Sequence, residues 1–164
     1  MGFTNVAEGY ILKAGWIVAI IIVAVAVLGA AYYLSMHAES NEEGTKIDLI
    51  NVNGTVSTVY VDIADTQQAR EKGLMYATSL DDDQGMLFIF DVESRESFWM
   101  KNTPLPLDMI FVNGGYNIVD INYNATPESE MVFTSRAPCK YVVEVNGGYC
   151  KAHGISVGDR IKIY

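Results

Sequence analysis

One uninterrupted run constrains this chain more than any other feature. From Ala14 to Leu34 it reads AGWIVAIIIVAVAVLGAAYYL, 21 residues with no charge and no proline. Crossing the hydrocarbon core of a bilayer takes about 20 residues at the helical rise. A helix satisfies its own backbone there. No side of the run is polar, which argues against a helix laid half-exposed on a soluble core. Trp16 near one end and Tyr32 and Tyr33 near the other suit the two membrane interfaces. The expectation is a short N-terminal tail over residues 1–13, a transmembrane helix over 14–34 and a polar linker over 35–46. The apolar region of a cleaved signal peptide is shorter, about 7 to 15 residues behind a basic start. Length therefore favours a retained anchor, although Gly29-Ala30-Ala31 supplies small residues for cleavage and secretion. Lys13 precedes the run and the next charges are Glu39, Glu42 and Glu43. The positive-inside rule then leans to a single-pass protein with its amino terminus inside and the larger part outside the cytoplasm.

All charged residues except Glu8 and Lys13 follow that run, so the later part carries the whole net charge of −9. Such a surface repels phosphate backbones and disfavours nucleic acid as a partner. The membrane is the expected partner of residues 14–34. Residues 47–164 are enough for one domain.

The domain reads as strands joined by tight turns. Ile47–Val52 is a short apolar strand, and Asn53-Gly54 after it is a strong hairpin signal. Thr55–Ile63 is rich in β-branched residues, with Val59, Val61 and Ile63 expected on one buried face. Asp65 is a candidate N-cap with Gln68 completing a capping box, for a helix ending at Gly73. Gly85–Phe90, Phe98–Lys101, Met109–Val112, Tyr116–Ile121 and Tyr141–Val145 are further strands, and Asn122–Pro138 a long loop. A short helix ends at His153 and Gly154, before a last strand. The expected class is mainly β, a small barrel or sandwich with two short helices.

Four segments resemble one family in order and spacing: QQAREKGLMYATSLDDDQGMLFIF, SFWMKNTPLPLDMIFVN, PCKYVVEVNGG and HGISVGDRI. The family is the domain of unknown function 192, and the resemblance runs from about Ile47 to Tyr164. It implies a compact, mainly β domain, usually outside the cytoplasm, with no established activity. Its recurrent residues match Arg70, Gly73, Leu74, Met75, Gly85, Met86, Phe98, Trp99, Met100, Asn102, Pro106, Asp108, Glu144, Gly158 and Asp159 here.

Chemistry is sparser. Lys101, Asn102 and Asp108 cluster around Pro104 and Pro106, and together suit a small polar ligand or a proton transfer. The plainer account has Asn102 and Asp108 bonding loop amides, with Trp99 and Met100 in the core on alternate faces of a strand. The candidate binding residues are thus Trp99, Lys101, Asn102 and Asp108, joined by Arg70 and Glu144 from the resemblance. His37 lies beside the apolar run, and His153 suits the end of a helix. No Ser-His-Asp arrangement and no phosphate-cradling glycine loop is present. Met75, Met86, Met100, Met109 and Met131 offer soft thioethers for a metal such as Cu(I), but four of them sit in apolar runs where Met fills gaps. No metal ligand set and no cofactor is assigned. Cys139 and Cys150 are the only cysteines and form a candidate disulfide if the compartment is oxidising. Asn53-Gly-Thr and Asn124-Ala-Thr match the glycan acceptor pattern. The leading function is a membrane-anchored binding module outside the cytoplasm. The alternatives are an envelope-acting hydrolase using Asp108 or Glu144 with Lys101, and a Met-based metal-handling domain.

Overall fold

The structure, a computed structural model, describes residues 23–30, 32 and 44–164. The expected transmembrane segment and the linker fall largely outside them. Residues 23–30 and 32 are helical and exposed, and among the described residues no helix is long and apolar enough to cross a membrane. The chain divides between Glu42 and Glu43, and the second unit is described by itself below.

That unit is mainly β, as expected. Its strands are β1 (Thr45–Ile50), β2 (Val56–Ala64), β3 (Gln84–Ser94), β4 (Ser97–Phe98), β5 (Leu107–Val112), β6 (Ile118–Ala125), β7 (Phe133–Thr134), β8 (Cys139–Asn146) and β9 (Arg160–Ile163). Two short helices, α1 (Gln67–Lys72) and α2 (Tyr149–His153), lie between them. Seven strands form one sheet in the order β6-β5-β8-β3-β2-β1-β9, and β4 pairs with β7 in a second, two-stranded sheet. The large sheet curls until its edges meet. Ile118 N–H donates to the Asp159 carbonyl at 2.8 Å, Ile161 N–H donates to that of Tyr116 at 2.9 Å, and Asn117 bridges Arg160. This contact leaves the edges of β6 and β9 little free backbone for other chains to pair with.

Local chemistry explains the elements. The β1–β2 hairpin turns at Asn53-Gly54, as expected, and Asn51 organises it by accepting from the Asn53 and Thr55 amides through Oδ1. β2 and β3 are parallel. Parallel neighbours need a crossover, and α1 lies within it. The N-cap of α1 is Thr66, not Asp65: Thr66 Oγ1 accepts from Ala69 N–H at 3.1 Å. Asp65 instead uses its backbone carbonyl, which accepts from Arg70. On β2, Val59 and Val61 are buried but Ile63 is exposed, and Ala64 takes the next buried place. The alternation slips at the strand end, where the chain leaves for α1.

The sheet has two apolar faces. Inside the curl lie Ile47, Leu49, Val59, Val61, Leu87, Ile110, Val143 and Val145, with α2 contributing Tyr149 and Cys150. Outside, Phe88, Met109, Phe111 and Val142 pack with Met100, Leu107 and Cys139 beneath α1, β4 and β7. The two cysteines are free and buried in these separate cores, which corrects the candidate disulfide. Burial pushes both thiols up, that of Cys150 further under the negative charge of Asp108.

The segment read as a strand over Phe98–Lys101 pairs only at Ser97 and Phe98, and Lys101-Asn102 is a turn. Asn102 has φ 55°, a left-handed conformation that asparagine tolerates, and its carbonyl accepts from Tyr76 N–H at 2.7 Å. β6 continues to Ala125, further than expected, and the loop after it contains β7.

Candidate functional site

α1 and the segment Ser97–Thr103 lie over the outer face of β3, β8 and β5. Edge-to-face rings fix that cover: the Phe98 centroid is 5.0 Å from Phe88, 5.8 Å from Phe111 and 6.4 Å from Phe90. α1 stops at Gly73, whose φ of 47° suits glycine, and whose N–H donates to the Ala69 carbonyl. Beneath the turn lies a cavity of about 30 Å³, lined among others by Arg70, Gly73, Met75, Trp99, Thr103 and Glu144. It adjoins an open groove of about 460 Å³ walled by Arg70, Phe90, Phe98 and Trp99. Arg70, Glu71, Phe88, Phe98 and Trp99 border both.

Glu144 forms part of this cavity's wall. It sits in β8 between Met86 of β3 and Met109 of β5 and is 4% exposed. Gly85 permits the close strand approach here, because a Cβ at that position would run into the Glu144 carbonyl oxygen. The ion pairs among the described residues are Lys46–Asp48, Lys101–Glu130 and Arg136–Asp120, and none involves Glu144. No hydrogen bond holds its carboxyl either, while no fully enclosed side-chain oxygen or nitrogen lacks a partner among the described residues. The Glu144 carboxyl therefore reaches the cavity. Burial alone pushes its pKa up to about 8, so it is mainly protonated at neutral pH. A neutral carboxyl both donates and accepts a hydrogen bond.

Arg70 does not pair with it. Its Nη1 donates to the carbonyls of Asp65 and Ile89, the latter at 2.8 Å, and its guanidinium lies 5.3 Å from the Phe90 ring centre. Trp99 is 45% exposed, which corrects its placement in the core. Met100, its neighbour, is buried and donates its N–H to the Ser129 carbonyl.

The cluster of Lys101, Asn102 and Asp108 is not assembled. Lys101 pairs with Glu130 at 3.3 Å and lies 5.3 Å from the Trp99 ring centre. Asn102 Nδ2 donates to the Tyr76 hydroxyl at 2.9 Å on the exposed surface. Asp108 is fully buried near α2 and accepts from the amides of Asn124 at 2.7 Å, Gly148 at 3.0 Å and Cys150 at 2.8 Å. It is a loop-tying carboxylate. His153 ends α2, stacks on Tyr149 at 4.1 Å and meets Ser57 Oγ at 3.1 Å. Of the methionines, Met75 and Met100 line the cavity, Met109 is core and Met131 is exposed. Sequence reasoning passed over Thr103, Phe88 and Phe90. The i, i+2 spacing of the two phenylalanines was the available signal, because it puts both rings on one sheet face.

The profile of the family DUF192, described as an uncharacterized ACR, matches residues 49–163. The chain belongs to the DUF192 family. A solved protein from Sinorhizobium meliloti 1021, described as a "putative transcription regulator", is 41% identical. That match covers 73% of this chain and 92% of the other at a TM-score of 0.71. A protein of unknown function from Novosphingobium aromaticivorans DSM 12444 is 33% identical, covering 71% and 83% at a TM-score of 0.69. No curated protein matches. The cavity-lining Arg70, Gly73, Met75, Trp99, Met100 and Glu144 all fall within the matched DUF192 region.

Proposed function

We propose that this DUF192 domain is a binding module that takes a small ligand into the groove between α1 and Ser97–Thr103. We further propose that residues 14–34 anchor it outside the cytoplasm. The observation that carries the binding reading is Glu144, a buried carboxyl without a protein partner at a small cavity. A carboxyl that reaches the cavity without a protein partner is free to bond a group that enters it. Half-exposed Trp99 at the rim offers a flat, rigid contact surface of the kind that binding sites favour. The regulator described among the similar structures does not extend to DNA contact here, because a net charge of −9 opposes it. The hydrolytic alternative loses the pairing of Lys101 with Asp108, since each is committed elsewhere.

Trp16 and Trp99 are the two tryptophans, so Trp16→Phe in the full chain makes Trp99 the sole tryptophan, excited selectively over the tyrosines at the red edge of the absorption band. Screening soluble amines, alcohols, amides and carboxylates should return compounds that change Trp99 emission, and Trp99-independent methyl shifts should map them to Met75 and Met100. Compounds that bind only elsewhere, such as the depression beside Tyr116 and Ile161, would overturn the reading.

A further inference from the structure

The chemistry around Glu144 narrows the ligand class, and this step rests on the binding reading above. Among the described residues no ion pair joins Glu144 to a cation of the chain. Arg70, Glu71 and Lys72 are the charged side chains that share the cavity, all from α1. Arg70 is held by two backbone carbonyls and the Phe90 ring, and Lys72 forms no ion pair among the described residues. From the other elements packed around Glu144 come only uncharged residues: Phe88 of β3, Leu107 of β5, Phe98 of β4, and Trp99, Met100 and Thr103 beyond it. The space beside Glu144 is small, about 30 Å³, which favours a compact head group there. The adjoining groove is aromatic along Phe90, Phe98 and Trp99, and aromatic faces attract cations. The acidic domain raises the local concentration of cations.

We infer that the ligand carries a primary ammonium on an apolar stem, with the ammonium against Glu144 and the stem along Trp99 and Phe98. Glu144 gives up its carboxyl proton to solvent as the ammonium arrives, and the carboxylate and ammonium form a hydrogen-bonded pair. One proton is released for each ligand bound below about pH 8, where burial keeps the free carboxyl protonated. Affinity therefore rises with pH up to about 8 and falls again once the amine itself deprotonates, near pH 10 for a lysine-like amine.

The test uses the full chain carrying Trp16→Phe, titrated with butylammonium, 1-butanol and butyrate. Trp99 emission reports occupancy, and calorimetry in two buffers of different ionisation enthalpy reports proton release. Butylammonium should bind at least about tenfold more tightly than butanol, as a charge-assisted hydrogen bond exceeds a neutral one. About one proton should leave with it at pH 7. Glu144→Gln should bring butylammonium down to the level of butanol and abolish proton release. If butanol or butyrate binds the groove as tightly as butylammonium, the ammonium assignment fails and the binding module stands. If none of the three perturbs Trp99 in the wild-type background, both fail. The three-probe comparison needs no substitution at Glu144, so it decides the matter even where Glu144→Gln does not fold.

Discussion

Asp108 and Glu144 are both buried carboxyl groups, one register step apart on the neighbouring strands β5 and β8. They face opposite sides of the sheet and have opposite environments. Asp108 faces α2 and satisfies three backbone amides. Glu144 lies on the outer side and satisfies none, so burial pushes it towards the neutral form. The contrast teaches that burial alone does not assign a role to a carboxyl group. The donors that long-range folding brings to it do. Asp108 ties loops together, and Glu144 is left with bonding capacity that only something from outside can use.

The contrast can be broken or sharpened by substitution. Asp108→Ala should produce the largest loss, about 3–5 kcal/mol, because three N–H groups, that of Cys150 fully buried, would lose their acceptor. Urea denaturation at pH 7 measures it, and a loss under about 1 kcal/mol would return Asp108 to the functional candidates. Glu144 should behave in the opposite sense. Its folded pKa lies above the ordinary 4.5 at about 8, so its stabilising contribution is complete below about pH 4.5 and fades as pH rises through 8. The linked loss is on the order of 4 kcal/mol. Denaturation series at pH 5 and pH 8.5 should show this slope in the wild type and a flatter one in Glu144→Gln.

A third carboxyl sharpens the sign. Asp120 is fully buried, but bonds from the exposed Arg136 side chain and from the Arg136 and Ile121 amides outweigh the desolvation and hold its pKa below 3.8. Its contribution is present above about pH 4 and is lost as pH falls through the depressed value. Asp120→Asn should therefore cost about 1–3 kcal/mol at pH 7 and much less in strong acid. Thermal melts at pH 7 and pH 2.5 check it. Trp99→Ala should have the smallest effect on stability, under about 1.5 kcal/mol, since 45% of the residue is already in solvent. The same change should weaken ligand binding to the groove, read from the methyl shifts of Met75 and Met100. A loss of 3 kcal/mol or more would instead make Trp99 a core residue.

Much of the fold was legible along the chain. Asn53-Gly54 turned where expected, Gly73 ended α1, and the apolar runs became strands. Each of these depends on neighbours within a few residues. The site was less legible. Arg70, Trp99 and Glu144 do meet at one cavity, but Lys101, Asn102 and Asp108 point to separate surroundings. Proximity along SFWMKNTPLPLD suggested a cluster that the turn at Asn102 and the prolines disperse. Cys139 and Cys150 misled for the same reason: they are close in sequence but belong to opposite faces of the sheet.

The sequence by itself determined the β-rich class, the turn positions and the acidic surface, because φ/ψ preference, alternation and charge are local or additive properties. Only the tertiary structure decided the strand order, the near-closure of the sheet and the fate of each buried carboxyl. Asp108 finds its amides 16, 40 and 42 residues away, while Glu144 shares a cavity with α1 and with the segment after β4. Such partners are set by how the sheet curls and what covers it, which no window of sequence contains.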